Sequence, residues 1–109
     1  MAAIGPGVSV ADVESASLEP LARHGLEHTA MMRFGYGIGI AYPPIWLETL
    51  QISRDFHTLL EPGMVFVLHS CLELPGENLG VIQGGTYVLE ESGLRMLAGA
   101  GNLALAEVK

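Results

Sequence analysis

The run MVFVLHSCLEL occupies residues 64–74, and the run LGVIQGGTYVL occupies residues 79–89. Both runs are rich in the β-branched, aromatic and aliphatic residues that favour strands. The four residues between them, PGEN, are typical of a turn, and EESG at residues 90–93 predicts a second one. We therefore predict a central β-hairpin.

Pairing Leu74 with Leu79 across the turn fixes the predicted register and places His69 opposite Gly84. A bulge at Gly84-Gly85 would shift that register. Because side chains alternate between the two faces of a strand, one face is predicted to be the more apolar, and His69 lies on the other. The residues predicted for the apolar face are Met64, Phe66, Leu68, Leu72, Leu74, Leu79, Val81, Tyr87 and Leu89.

A helix is predicted before the hairpin, from Val10 to His24. Ser9 is a suitable N-cap, and apolar residues recur after it close to helical spacing. Gly25 suits the left-handed conformation that ends a helix, whereas Pro20 is expected to kink or split it. A helix followed by a hairpin places the chain in the α+β class.

The remaining segments have weaker patterns. We predict a short strand at residues 28–33, and either a loop or a poorly patterned helix at residues 46–60. Residues 102–108 are predicted to add one more strand. A length of 109 residues with no evident internal repeat suits a single domain at residues 1–109.

The charge balance narrows the classes of partner. Five Lys and Arg residues against twelve Asp and Glu residues give a formal net charge of −7, which repels nucleic acid and anionic membranes. No apolar run approaches the ~20 residues needed to span a bilayer, and the first residues lack the features of a signal peptide. The single cysteine, Cys71, fits a reducing compartment, so we predict a cytoplasmic protein.

Two short motifs match functional signatures in unsuitable contexts. The stretch GYGIG at residues 35–39 resembles a dinucleotide-binding loop, but Pro43-Pro44 leaves no room for the helix that must follow. The stretch HGLEH at residues 24–28 has the histidine spacing of a zinc motif that requires one continuous helix. Gly25 ends the predicted helix, so we expect the two imidazoles to point in different directions.

Three segments occur in the order found in one known family: RFGYGIGIAYPP at residues 33–44, LEPGMVF at residues 60–66 and GVIQGGTYVLEESGLRML at residues 80–97. Through them the chain resembles the C-terminal part of the creatinase, prolidase and aminopeptidase P family, and looks closest to the creatinase-like branch that contains ectoine hydrolase. The resemblance implies the second half of a pita-bread fold, in which an N-terminal helix packs with an antiparallel curved sheet. It also implies a hydrolase of Xaa-Pro peptides or of small amide or amidine bonds.

The family's metal site implies two Mn, Co or Zn ions held by two aspartates, one histidine and two glutamates. The resemblance places the aspartates upstream of residue 1, the histidine at Tyr36, and the glutamates at His69 and Gly84. A neutral phenol is a poor ligand at pH 7, and glycine has no side chain. We therefore expect no metal site, no cofactor and a form of the hydrolase that is inactive alone.

The same resemblance supplies the candidate site residues. Tyr36 and His69 are the candidate catalytic pair, and Tyr42, Trp46 and Arg33 are candidates for binding a small amide or proline-containing ligand. Half of a domain leaves a sheet edge and an apolar face uncovered, so we expect a homodimer or a complementary N-terminal half as partner. The alternative function is a non-catalytic binding or dimerisation module derived from the family.

Overall fold

The computed structural model describes residues 4–30 and 34–99. The strand predicted at residues 102–108 lies outside them. Within the described part, no helix is both long and apolar enough to cross a membrane. This part belongs to the α+β class that the sequence predicts and consists of helix α1 (Val10–Arg23) and strands β1 (Gly35–Gly37), β2 (Gln51–Ile52), β3 (Val65–Leu74), β4 (Leu79–Glu90) and β5 (Gly93–Gly99).

Helix α1 begins and ends close to the predicted positions. The Ser9 hydroxyl oxygen accepts a hydrogen bond from the Ala11 N–H at 3.3 Å, which satisfies one of the free donors of the first turn. Gly25 follows the helix with a φ of +69°, a left-handed value that favours glycine. Pro20 lies inside α1 without splitting it. Pro20 lacks the N–H that would donate to the Ala16 carbonyl oxygen, and the helix continues past it to Arg23.

The strands form one antiparallel sheet in the order β2-β1-β3-β4-β5. Strands β3 and β4 are the predicted hairpin, and they pair in the predicted register, with Leu74 opposite Leu79 and His69 opposite Gly84. The irregularity in the sheet lies between β4 and β5, next to Thr86, and leaves the β3–β4 register intact. The face that each hairpin residue occupies is therefore as predicted.

The core lies between α1 and one face of the sheet. Phe66 and Leu68 of β3, together with Tyr87 and Leu89 of β4, are buried there, as the alternation predicts. The other core residues are Val10, Val13, Ile52 and Leu60. Four further residues of the predicted apolar face lie nearer the hairpin turn, where β5 no longer pairs with β4, and are half-buried or exposed: Leu72, Leu74, Leu79 and Val81.

The predicted strand at residues 28–33 is wrong over the part that the structure describes. Glu27–Thr29 forms a 3-10 helix, and Ala30 makes a single β-bridge to Leu72. The Thr29 hydroxyl and the Thr29 N–H both donate to the Leu26 carbonyl oxygen, at 2.6 Å and 3.0 Å. These local bonds close a turn and compete with strand pairing.

Three strands are not predicted by the sequence patterns: β1, β2 and β5. Strand β1 lies in the glycine stretch, and β5 follows the second turn, where half-buried Leu94 and Met96 alternate with exposed Arg95 and Leu97. Residues 46–60 are largely irregular and contain β2, so the helix alternative for that segment is wrong.

Candidate functional site

Tyr36 and His69 lie side by side on the face of the sheet opposite α1. Tyr36 pairs with Val67, and His69 lies two residues further along β3 on the same face. The His69 N–H donates to the Phe34 carbonyl oxygen at 2.8 Å, which extends the β1–β3 pairing. The ring centroids of Tyr36 and His69 are 5.7 Å apart, with 63° between the ring planes, so the two rings make a T-shaped contact.

Gly84 joins this pair from β4, directly opposite His69. The two strands approach each other closely here: a Cβ atom at position 84 would lie 2.6 Å from the His69 Cβ and 2.8 Å from its Cα. Packed atoms do not tolerate such distances, so any side chain at this position would push the strands apart. The three positions that the family resemblance assigns to metal ligands therefore meet, and the third has no space for a ligand.

An open groove of about 600 Å³ adjoins Tyr36 on the same face. None of the residues that line it carries a charge, and its polar side-chain groups are the hydroxyls of Tyr36 and Thr86 and the indole N–H of Trp46. Val65 and Val67 contribute apolar surface from β3. The groove is suited to a compact, largely apolar group with one or two hydrogen-bonding atoms.

The predicted ligand-binding residues are only partly brought together. Trp46 lines the groove with Tyr36 and is 53% exposed. Tyr42 is 84% exposed and lies outside the groove lining, and Arg33 lies outside the described residues. His69 is 8% exposed, so only a small part of its surface is accessible beside Tyr36.

Glu48 organises the loop between β1 and β2. Its Oε1 accepts hydrogen bonds from the Ile40 N–H at 2.7 Å and the Ala41 N–H at 3.1 Å. Its own N–H donates to the Gly37 carbonyl oxygen at 3.2 Å. The sequence reasoning missed this residue, although Glu48 is the only charged residue between Arg33 and Arg54.

A second carboxylate ties α1 to the segment that follows β2. Glu14 is 7% exposed, and its Oε2 accepts the Arg54 backbone N–H at 2.6 Å and lies 3.7 Å from the Arg54 Nε. The Arg54 Nη1 also lies 3.0 Å from Glu27 Oε1, next to the 3-10 helix. The three side chains therefore connect the helix, the 3-10 turn and the loop after β2.

The HGLEH stretch does not form a zinc site in this fold. His24 caps the end of α1, Gly25 turns the chain, and His28 lies in the 3-10 helix that follows. The two imidazoles therefore do not share one helical face, as the position of Gly25 predicts.

The residues present do not fit the family's dinuclear site either. Tyr36, His69 and Gly84 offer one phenol, one imidazole and no third donor, whereas each metal ion of such a site requires several anionic or imidazole ligands. Across residues 4–30 and 34–99, no group of three or more His, Cys, Asp and Glu side chains is placed to hold a metal ion.

Known proteins match most of the chain in sequence. Residues 1–96 match the family model described as Metallopeptidase family M24. An uncharacterised hydrolase/peptidase of Sinorhizobium fredii is 38% identical over 92 residues, which are 84% of this chain and 22% of that protein. The ectoine hydrolase of Halomonas elongata is 36% identical over 94 residues, which are 85% of this chain and 23% of that protein.

The fold also matches a solved enzyme. The prolidase from Pyrococcus furiosus aligns with a TM-score of 0.82 and 24% identity over 92% of this chain and 28% of the prolidase. The chain thus spans about a quarter of the length of the relatives that it matches. Its helix and antiparallel sheet are those of a pita-bread fold. With a family match from residue 1 to residue 96, the chain belongs to metallopeptidase family M24, as the order of its motifs predicts.

Proposed function

We propose that this chain forms the C-terminal half of the catalytic domain of a creatinase- or prolidase-type hydrolase that cleaves a small amide, amidine or Xaa-Pro bond. The observation that carries the proposal is the contact between the Tyr36 and His69 rings, 5.7 Å apart, beside an uncharged groove. The 36% identity to an ectoine hydrolase supports the hydrolase class. The proposed chemistry uses Tyr36 and His69 and no dinuclear metal centre.

His69 is the proposed general base. Its imidazole takes a proton from a water molecule as the water oxygen attacks the carbon of the amide or amidine. The Tyr36 hydroxyl donates a hydrogen bond to the oxygen or nitrogen on which negative charge develops. The protonated His69 then gives its proton to the leaving nitrogen, the C–N bond breaks, and one water molecule is consumed.

The groove supports a substrate that places a compact apolar group in it and keeps its charged groups outside. A charged group would lose its hydration there and would meet no opposite charge among the lining residues. The aromatic surfaces of Trp46 and Tyr36 suit a small saturated ring, such as that of proline.

We propose that the chain is inactive alone and works in the cytoplasm with a complementary N-terminal half. The support for such a partner is length, since about three quarters of each relative's sequence lies outside the part that the chain matches. The single cysteine supports a reducing compartment.

The test compares hydrolysis of Xaa-Pro dipeptides, creatine and ectoine by the purified chain, with and without the remaining part of the Halomonas elongata enzyme, and with and without manganese. We expect no turnover by the chain alone, and turnover in the reconstituted sample that does not depend on manganese. Tyr36→Phe is expected to lower kcat by about 10²-fold through loss of one hydrogen bond in the transition state. His69→Ala is expected to lower it by about 10²–10⁴-fold.

Two results would contradict this function. Turnover that requires manganese would mean that metal ligands assemble in the reconstituted site. Unchanged turnover in both the Tyr36→Phe and the His69→Ala variants would remove these residues from the chemistry. Glu77→Ala, a change in the exposed hairpin turn, is the control for effects of mutation alone.

Exposed apolar side chains favour a second candidate, a dimerisation module. Ile40, Tyr42 and Ile45 are 98%, 84% and 66% exposed and lie within six residues of one another in the loop after β1. Such a cluster is typical of surfaces that associate. In this alternative the chain binds a second copy of itself and hydrolyses nothing.

A further inference from the structure

The loop between β1 and β2 forms part of the wall of the groove, and Glu48 lies at its base. Ile38, Ala41 and Trp46 of this loop line the groove beside Tyr36. Ile40 at its tip is 98% exposed, so hydrophobic packing does not hold the tip of the loop. Two hydrogen bonds to Glu48 Oε1, from the Ile40 N–H at 2.7 Å and the Ala41 N–H at 3.1 Å, hold that tip.

Glu48 makes close contacts both with the loop above its carboxylate and with the end of β1 below it. A Cβ atom at position 39 would lie 3.1 Å from Glu48 Oε1, so glycine lets the loop turn tightly over the carboxylate. Below it, the Gly37 N–H donates to the Leu50 carbonyl oxygen at 2.9 Å, and the Glu48 N–H donates back to the Gly37 carbonyl oxygen. A carboxylate accepting two backbone N–H groups makes hydrogen bonds about twice as strong as those of a neutral acceptor.

We propose that Glu48 is the positioning residue of the groove. Its carboxylate folds the tip of the loop back onto the end of β1, and this fold sets where Trp46 stands relative to Tyr36. The Glu48 carboxylate accepts hydrogen bonds from backbone amides, and Glu48 is not among the residues that line the groove. The groove therefore stays uncharged. The part of this inference that concerns a ligand rests on the proposed hydrolase function, whereas the part that concerns the loop does not.

Amide hydrogen exchange of the whole chain tests the loop directly. In Glu48→Ala, protection of the Ile40 and Ala41 amides is expected to fall at least about tenfold, because both lose a charged acceptor. The Gly37 amide, which is bonded to Leu50, is expected to keep its protection. Glu48→Gln keeps an acceptor oxygen and is expected to restore part of the protection, which separates a local effect from unfolding.

Fluorescence adds a second measurement, because Trp46 is the single tryptophan of the chain. Its emission is expected to shift in Glu48→Ala and not in the control Glu77→Ala, which lies in the exposed hairpin turn. With N-acetylprolinamide as the probe, quenching of Trp46 is expected to need about tenfold more probe in Glu48→Ala, with partial rescue in Glu48→Gln.

The outcomes distinguish failure of the positioning role of Glu48 from failure of the proposed ligand site. Unchanged protection of Ile40 and Ala41, with unchanged Trp46 emission, would overturn the role of Glu48. Should Glu48→Ala unfold, the Glu48→Gln variant decides: reduced protection of those two amides with normal protection at Gly37 supports the role, and normal protection at all three overturns it. If the probe does not quench the wild type, the ligand site fails while the exchange data still judge Glu48.

Discussion

Gly84 lies directly opposite His69, where strands β3 and β4 approach each other closely. The family resemblance implies a metal-ligating glutamate at this position. A Cβ atom placed at position 84 would lie 2.6 Å from the His69 Cβ. The two strands are therefore too close together to accommodate a glutamate side chain. A glutamate at this position would therefore require a wider separation of the two strands.

Gly84→Glu is predicted to destabilise the fold without creating a metal site. The new side chain must push β4 away from β3, at a cost of about 1–3 kcal/mol in the free energy of unfolding measured by urea titration. The control for the steric effect is Gly80→Gln on the same strand, where an added Cβ meets no atom within 4 Å and the neutral side chain avoids a like charge opposite Glu73. Calorimetry with manganese is expected to show no binding by either variant, and stoichiometric binding by Gly84→Glu would contradict this account.

The contacts of Glu14 and Arg54 join α1 to the loop after β2. The Arg54 N–H has the buried Glu14 carboxylate as its acceptor, at 2.6 Å. Glu14→Ala leaves that donor without its acceptor, so we predict a loss of about 2–3 kcal/mol in the free energy of unfolding.

The control for this prediction is Glu19→Ala on the same helix. Glu19 pairs with Arg23 at 3.8 Å, but both side chains are 67% exposed, and solvent screening makes such a pair weak. Urea unfolding is expected to detect little difference between Glu19→Ala and the wild type. Equal losses in the two variants would mean that the contact between Glu14 and Arg54 does not secure the helix.

The elements differ in how far their sequences predict them. The hairpin, its register and α1 are confirmed because their signals are local: alternation, a four-residue turn, an N-cap at Ser9 and a left-handed Gly25. Strand β1 has glycine at two of its three positions and gains its conformation from pairing with β2 and β3, which a local pattern does not contain. Segments of this kind depend on tertiary contacts that override propensity.

The sequence likewise predicts only some of the residues of the candidate site. Register arithmetic predicts that His69 faces Gly84, and the contact of His69 with Tyr36 then follows from the β1–β3 pairing. Glu48 could not be found in this way, because its partners are backbone amides of a loop with no repeating pattern. Tyr42 was predicted to bind a ligand because it is close in sequence to Tyr36 and Trp46, but its side chain is exposed to solvent.

Exposed apolar side chains in the loop after β1 favour association of the chain with a second copy of itself. For the second candidate function, the dimerisation module, we predict a homodimer at micromolar concentration that forms through the loop exposing Ile40 and Tyr42. Replacing both by Ser is expected to weaken association at least about tenfold, since each exposed apolar side chain contributes on the order of 1–2 kcal/mol when buried. Because both residues are exposed, the free energy of unfolding of the monomer is expected to stay unchanged.

Size-exclusion chromatography with light scattering measures this association. Ile82→Ser is the control, since Ile82 is 65% exposed but lies on β4, away from the loop. A wild-type chain that stays monomeric at micromolar concentration would remove the support for a homodimer. Equal weakening by Ile82→Ser would move the interface to the hairpin.

The close contact at Gly84 also has a consequence for protein engineering. A side chain added at this position has no space between β3 and β4, so a ligand introduced there lowers stability before any ion is bound. A designed metal site on this face therefore requires either a second substitution that widens the sheet or ligands at positions other than 84.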